Sequence, residues 1–329
     1  MRAMVLEKTK NIEENPLIFK DVPLPEPAEN QIRIKISVCG VCRTDLHIVE
    51  GELPPHKLPV IPGHQIVGYV DKIGKDVRNF KIGERVGVPW LYRTCGKCSY
   101  CKEGRENLCD NPEFTGYDVD GGYAEFTIVD EDFAYHLPEN YNDKEVAPLL
   151  CAGVIGYQTF KKSGIKEGKI GLFGFGSAAH ILIQVLVHSK FEVFVVSRTE
   201  RELELAKKLG AIWAGHIDEL DEKLDGVLVF APSGELLVKG LEKIKKGGIV
   251  VSGGIYASPL PKFDYSHIFP EKTLTSTAHT TRENVKEFLK IAGEFKIKTE
   301  INEYKLEDAN LALFNIKHSK VKGSSILII

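Results

Sequence analysis

The stretch CGKCSYCKEGRENLC, residues 95–109, places four cysteines at C-x2-C-x2-C-x7-C. So short a segment can bring four sulfurs to one point only by turning tightly on itself, and Gly96 and Gly104 allow such turns. Four thiolates close a tetrahedral shell around zinc at roughly 2.3 Å per bond. Because Cys95, Cys98, Cys101 and Cys109 fill every position, such a site stabilises a lobe (about residues 92–112) and leaves no place for substrate. An iron–sulfur cluster is the competing reading, since C-x2-C-x2-C opens one ferredoxin pattern, although the later gap and the missing Pro differ. Uncommitted thiols are the third. The remaining cysteines, Cys39, Cys42 and Cys151, make an odd total of seven, and their clustering favours metal over disulfides.

The chain's 329 residues are enough for two domains. Its first 150 or so read as short strands between Gly and Pro, as in QIRIKISV (31–38), QIVGYVDKI (65–73), GERVGVPW (83–90) and YAEFTIV (123–129). Beyond about residue 153 the texture changes. KIGLFG (169–174), FEVFVVS (191–197), GVLVF (226–230) and GGIVVSG (247–253) alternate with helical stretches, which predicts a parallel sheet covered on both faces. Near the end, Val285, Phe288, Leu289 and Ala292 fall on one helical face, and the apolar run SILII follows. We expect that tail to return to the first domain and make it discontinuous.

Two further cysteines and a histidine are candidates for a second metal site. Cys42 lies in CGVCRTDLH, His64 in PGHQIVG and Cys151 in PLLCAGVIGY. Two thiolates and an imidazole would leave a fourth coordination position open, as catalytic zinc requires, but this spacing alone does not separate them from core residues. Taken in order, CGVCRTDLH, GHQIVGYV, GERVGV, the four-cysteine lobe, GGYAEF, PLLCAG, GFGSAA and LELAKKLGA resemble the zinc-dependent alcohol dehydrogenases of the medium-chain dehydrogenase/reductase superfamily over nearly the full length. The resemblance implies a GroES-like, mainly β catalytic domain (1–152 and 282–329) and a Rossmann doubly wound α/β domain (153–281). It also implies Cys42, His64 and Cys151 as catalytic zinc ligands and the lobe cysteines as a structural zinc site, two zinc ions per subunit.

The same resemblance gives Thr44 a hydrogen bond to the reacting oxygen, His47 a proton relay through the nicotinamide ribose, and Asp45 the orienting of His64. Alternatively, these three residues simply cap a helix start. Cys39 is then a packed thiol, and its C-x-x-C spacing with Cys42 is coincidental. Two positions depart from the family pattern. Gln65 stands where a Glu usually follows the ligand His, so the metal loses a neighbouring negative charge. Ser324 stands where an Arg often serves the cofactor phosphates, with Lys322 nearby.

KIGLFGFGSAAHILIQVL runs from a strand through Gly174, Gly176, Ser177 and Ala179 into an apolar helix, the G-x-G-x-x-A context of a dinucleotide turn. The next strand ends in VVSRTERE. Ser197 occupies the place of the acidic residue expected for NAD, with Arg198 and Arg201 close behind, and these favour a 2'-phosphate; NADP is the preferred cofactor and NAD the other candidate.

With 43 basic against 46 acidic residues the chain offers no strong field for nucleic acid, and no apolar run is long enough to span a membrane. The N-terminal MRAMVLEKTKNIEE lacks a secretory core, so we expect a cytoplasmic protein. The expected activity is reversible hydride transfer between a primary alcohol or aldehyde and the nicotinamide, in a homo-oligomer (dimer or tetramer). Trp90 is either a pocket wall or a core residue. Polyol or formaldehyde oxidation, or a catalytically weak NADPH-binding protein, are the alternatives.

Overall fold

The computed structural model describes residues 1–329 as two compact units, Met1–Cys151 with His279–Ile329, and Ala152–Ala278. No helix is long and apolar enough to cross a membrane.

The first unit is built on a seven-stranded, mainly antiparallel sheet whose central strand is Gln31–Val41. Its first half alternates: Ile32, Ile34 and Ile36 are buried while Arg33 and Lys35 point away. Register shifts at Arg33/Ile34 and Ile36/Val38 interrupt the pleat. After the second, Val38 to Val41 are all buried, so the strand dives into the interior just before Cys42. Ile66–Ile73 pairs on one side of this strand, and Ser324–Ile328 returns from the far end of the sequence to pair antiparallel on the other, Leu327 opposite Cys39. The expected apolar helix forms as Arg282–Glu294, with Val285, Phe288, Leu289 and Ala292 buried.

One strand starts later than the sequence pattern predicts. Phe126–Asp130 replaces the expected 123–129, because Tyr123 and Ala124 bond instead to Met4 and Ala3 of the N-terminal hairpin.

The second unit is a six-stranded, all-parallel sheet in the order Trp213–Gly215, Glu192–Val196, Lys169–Phe173, Leu224–Val229, Ile244–Ser252, Thr273–Ser276. Numbered along the chain this is 3-2-1-4-5-6, the doubly wound order. Val193 to Val196 are buried without alternation, as strands covered on both faces must be. The strand order reverses between Lys169–Phe173 and Leu224–Val229, so the crevice that such sheets offer to ligands opens just beyond Phe173.

Candidate active site

The lobe cysteines converge. Their four sulfurs lie within 4.8 Å of one another, and Cys95 Sγ is 4.0 Å from Cys101 Sγ, close to the roughly 3.8 Å that tetrahedral zinc–thiolate bonding demands. Backbone amides already point at the sulfurs: the N–H of Cys98 donates to Cys95 Sγ (3.4 Å), and those of Cys95 and Asn111 donate to Cys109 Sγ (3.3 and 3.4 Å). The amides of Lys97 and Cys98 pull the Cys95 thiol down to about 6, favouring the thiolate a metal binds. No two of the seven cysteines form a disulfide.

A buried ion pair ties the lobe to the fold. Glu106, between the third and fourth cysteines, accepts from the Arg282 backbone N–H (2.7 Å) and from its guanidinium (2.8 Å from Nη2). Its side chain is 8 % exposed against 36 % for Arg282, so removing the arginine strands a carboxylate out of water. We expect Arg282→Ala to lower the thermal unfolding midpoint by about 5 °C and to speed zinc loss to a chelator. An unchanged melting curve and metal retention would show that the pair does not anchor the lobe.

The second cluster is assembled from three distant pieces of chain. Cys42 caps the N-terminus of the helix Arg43–Glu50, His64 is 1 % exposed just before the strand Ile66–Ile73, and Cys151 ends the first segment of the unit. Their ligand atoms lie within 4.8 Å of one another, with the two sulfurs 4.0 Å apart. His64 Nε2 is buried and has no hydrogen-bond partner. Its Nδ1 is held at 2.9 Å by Asp45 Oδ1, so Nε2 is the ring nitrogen left for a metal. An orphaned nitrogen beside two thiols is the donor set of a tetrahedral metal site with one open position, and these residues fit zinc.

Asp45 itself is fully buried. Oδ2 accepts from the Cys42 N–H (2.8 Å) and the Tyr123 hydroxyl (3.0 Å), and Oδ1 accepts from the Gly63 N–H (3.3 Å) as well as from His64. It therefore bonds the first turn of the helix and the His64 ring at once. The charge balance suits a cation. Burial opposes charge on the His64 ring, yet the Asp45 carboxylate and the Cys42 sulfur outweigh it and push the ring up to about 10. Cys42 is drawn well below the usual thiol range chiefly by Cys151, which rises well above it in turn.

The neighbours follow from the helix. Thr44 Oγ1 sits 3.7 Å from Cys42 Sγ, and His47 binds the carboxylate of exposed Glu52 through Nδ1. Gln65 is buried, and its amide lies across Gly40, where a Cβ would come within 2.7 Å of it. Cys39 belongs to neither cluster: it is fully buried, with Sγ 3.5 Å from the Gly40 carbonyl. Trp90 is buried, stacks on Phe114 with ring centres 5.0 Å apart, meets His64 edge-on at 4.9 Å and donates from Nε1 to His279 Nδ1 at 3.0 Å. It is thus a core residue that also lies beside the cluster. No motif marks Tyr123, Glu52 or His279, which meet Asp45, His47 and Trp90 only in the folded unit.

In the second unit, Gly174 takes φ +87° as the chain leaves Lys169–Phe173, and a Cβ there would lie 2.7 Å from the Ala231 nitrogen. Gly176 starts the helix Ser177–His188 with no side-chain cap, and nothing lies within 4 Å of where its Cβ would be. That open backbone and the uncapped N–H groups fit a pyrophosphate. Ala179 is buried, Ser177 half-buried. Ser197 is buried at the end of Glu192–Val196, whereas Arg198 and Arg201 are exposed. Ser324 is buried in its sheet, and Lys322 pairs with Glu300 at 3.3 Å.

Residues 28–139 match the alcohol dehydrogenase GroES-like domain. The chain is 40 % identical to a probable alcohol dehydrogenase of Mycobacterium tuberculosis, over 100 % of this chain and 97 % of that one. It is 35 % identical to an alcohol dehydrogenase of Geobacillus stearothermophilus, over 99 % of both. Among solved structures, a cinnamyl alcohol dehydrogenase of Sorghum bicolor superposes with a TM-score of 0.91 at 25 % identity, covering 99 % of this chain and 97 % of that one. A CAD from Helicobacter pylori, complexed with NADP(H), does so at 0.89 and 26 %, covering 100 % and 99 %. With a GroES-like unit, a doubly wound unit and relatives that match from end to end, the chain belongs to the zinc-type alcohol dehydrogenases of the medium-chain superfamily and is an oxidoreductase.

Proposed function

We propose that Cys42, His64 and Cys151 hold a catalytic zinc, that the four lobe cysteines hold a structural one, and that the enzyme interconverts primary alcohols and aldehydes with NADP(H) preferred. The observation that carries the metal assignment is the buried, unpartnered His64 Nε2 facing two thiols. When bound, zinc would supply Lewis acidity to the substrate oxygen, and the nicotinamide would supply or accept the hydride. The chain's residues do the rest. Asp45 fixes the ring of His64, Thr44 holds the substrate hydroxyl beside the metal ligands, and His47, gripped at Nδ1 by Glu52, carries the proton toward solvent. The Trp90–Phe114 stack next to His64 supplies apolar surface that suits an uncharged carbon chain.

The 1–151 and 279–329 unit is on this reading the catalytic domain, and 152–278 the dinucleotide-binding domain. NADP preference is supported by Ser197 at a strand end that lacks an acid of its own, by the exposed Arg198 and Arg201, and by the NADP(H) in the Helicobacter pylori relative. Assembly as a dimer or tetramer rests on the family resemblance.

Purified enzyme is expected to carry two zinc ions per chain by elemental analysis, without iron–sulfur absorption. It should reduce benzaldehyde, hexanal and acetaldehyde with higher kcat/KM for NADPH than for NADH. Full zinc occupancy with no hydride transfer to any of the three would sink the assignment as a primary-alcohol enzyme.

A further inference from the structure

We infer that Glu202 sets the discrimination between the two nicotinamide dinucleotides, by placing a carboxylate at the strand end where the substituent at the ribose 2' position is recognised. This rests on the reading of residues 174–179 as the dinucleotide turn. Ser197 follows the strand Glu192–Val196 directly and is only 6 % exposed. Its position is tied to that turn, because the Gly174 N–H donates to the Val196 carbonyl (2.8 Å) and the Ser197 N–H to that of Gly215 (3.3 Å). The Ser197 hydroxyl donates to the Glu202 carboxylate.

The sequence would send that carboxylate elsewhere. Thr199-x-x-Glu202 has the spacing of a capping box, in which the glutamate turns back to the Thr199 N–H. The helix Glu200–Lys208 has Thr199 as its N-cap, yet no side-chain cap bond forms there. The Thr199 N–H instead approaches Ser197 Oγ at 3.5 Å, and Glu202 engages the same oxygen. A helix residue therefore supplies the acid that dinucleotide folds otherwise carry at the strand end.

The chemistry follows. A carboxylate on Ser197 can accept from ribose hydroxyls but repels a 2'-phosphate, whereas exposed Arg198 and Arg201 attract one. The two sets of groups oppose each other within a few residues. An incoming 2'-phosphate would take the Ser197 hydroxyl as its donor, and Glu202 would have the capping position at the Thr199 N–H to move to. Glu202 is accordingly a specificity residue that holds NADP preference below what the arginines alone would give.

The test is equilibrium binding of NAD+ and NADP+ to the zinc-loaded enzyme by titration calorimetry at low ionic strength. Wild type would be compared with Glu202→Gln and with Glu200→Gln, which removes a charge from the same helical turn. Glu202→Gln is expected to shift the ratio of dissociation constants toward NADP+ by about tenfold or more, because it removes a like charge at close range while keeping the side chain's shape. Glu200→Gln should leave the ratio within about twofold of wild type. An unchanged ratio in Glu202→Gln, or an equal shift in both variants, would overturn the assignment. A wild type that favours NAD+ would instead overturn NADP preference and leave the shift to be read independently; one that binds neither nucleotide would overturn the dinucleotide reading and the assignment together.

Discussion

Replacing Cys42 by serine is expected to lower kcat/KM by at least about a thousandfold and to remove one of two zinc ions per chain, while Cys39→Ser changes neither. The two cysteines are three residues apart and chemically identical in the sequence, so the contrast isolates geometry. Cys42 Sγ lies 4.0 Å from Cys151 Sγ at the mouth of the helix Arg43–Glu50, and a serine hydroxyl there is a poor substitute for a thiolate toward zinc. Cys39 is fully buried, and burial holds its thiol protonated, well above the usual range. A serine can keep its contact with the Gly40 carbonyl, so the cost should be limited to about 1 kcal/mol of stability. Steady-state kinetics with zinc analysis decides the matter; near-native turnover in Cys42→Ser with full metal would remove Cys42 from the site.

Asp45→Asn should cost both metal and fold. The carboxylate is reached by four donors, from Cys42, Gly63, His64 and Tyr123, and has no contact with water. An amide replaces one acceptor by an NH2 group that must face donors, leaving at least two of them buried without a partner. We expect zinc affinity to fall by about 10- to 100-fold, measured by chelator competition, as the His64 ring loses its fixed orientation. Stability should fall by about 3 kcal/mol in denaturant titrations. Retention of both would mean that the ring is oriented by packing alone.

How much of this could be read from sequence depended on how far apart the cooperating residues are. The convergence of the lobe's four sulfurs was legible outright, because the cysteines are local and their spacing leaves few geometries. The convergence of Cys42, His64 and Cys151 was not: Cys42 and Cys151 are brought together only by the folded first unit, and only the order of motifs along the whole chain pointed to them. The alternation of strands and helices after residue 153 anticipated the doubly wound sheet, since parallel strands are buried on both faces and read as uninterrupted apolar runs. What remained hidden were choices between equivalent local partners. Tyr123 and Ala124 look like strand residues, but the N-terminal hairpin claims their backbone and Asp45 the tyrosine hydroxyl. Glu202 looks like a capping residue and turns to Ser197.

The return of the chain's end to the central strand also dictates an order of events during synthesis. Ser325 lies opposite Val41, next to Cys42, and the strand Ser324–Ile328 is an interior member of its sheet, not an edge. While the ribosome is still making residues 279–329, the segment bearing Cys42 and His64 lacks an interior neighbour, whereas Ala152–Ala278 already contains every strand of its own sheet. The second unit can therefore complete its sheet on the nascent chain while the strand Gln31–Val41 still waits for the neighbour that Ser324–Ile328 supplies.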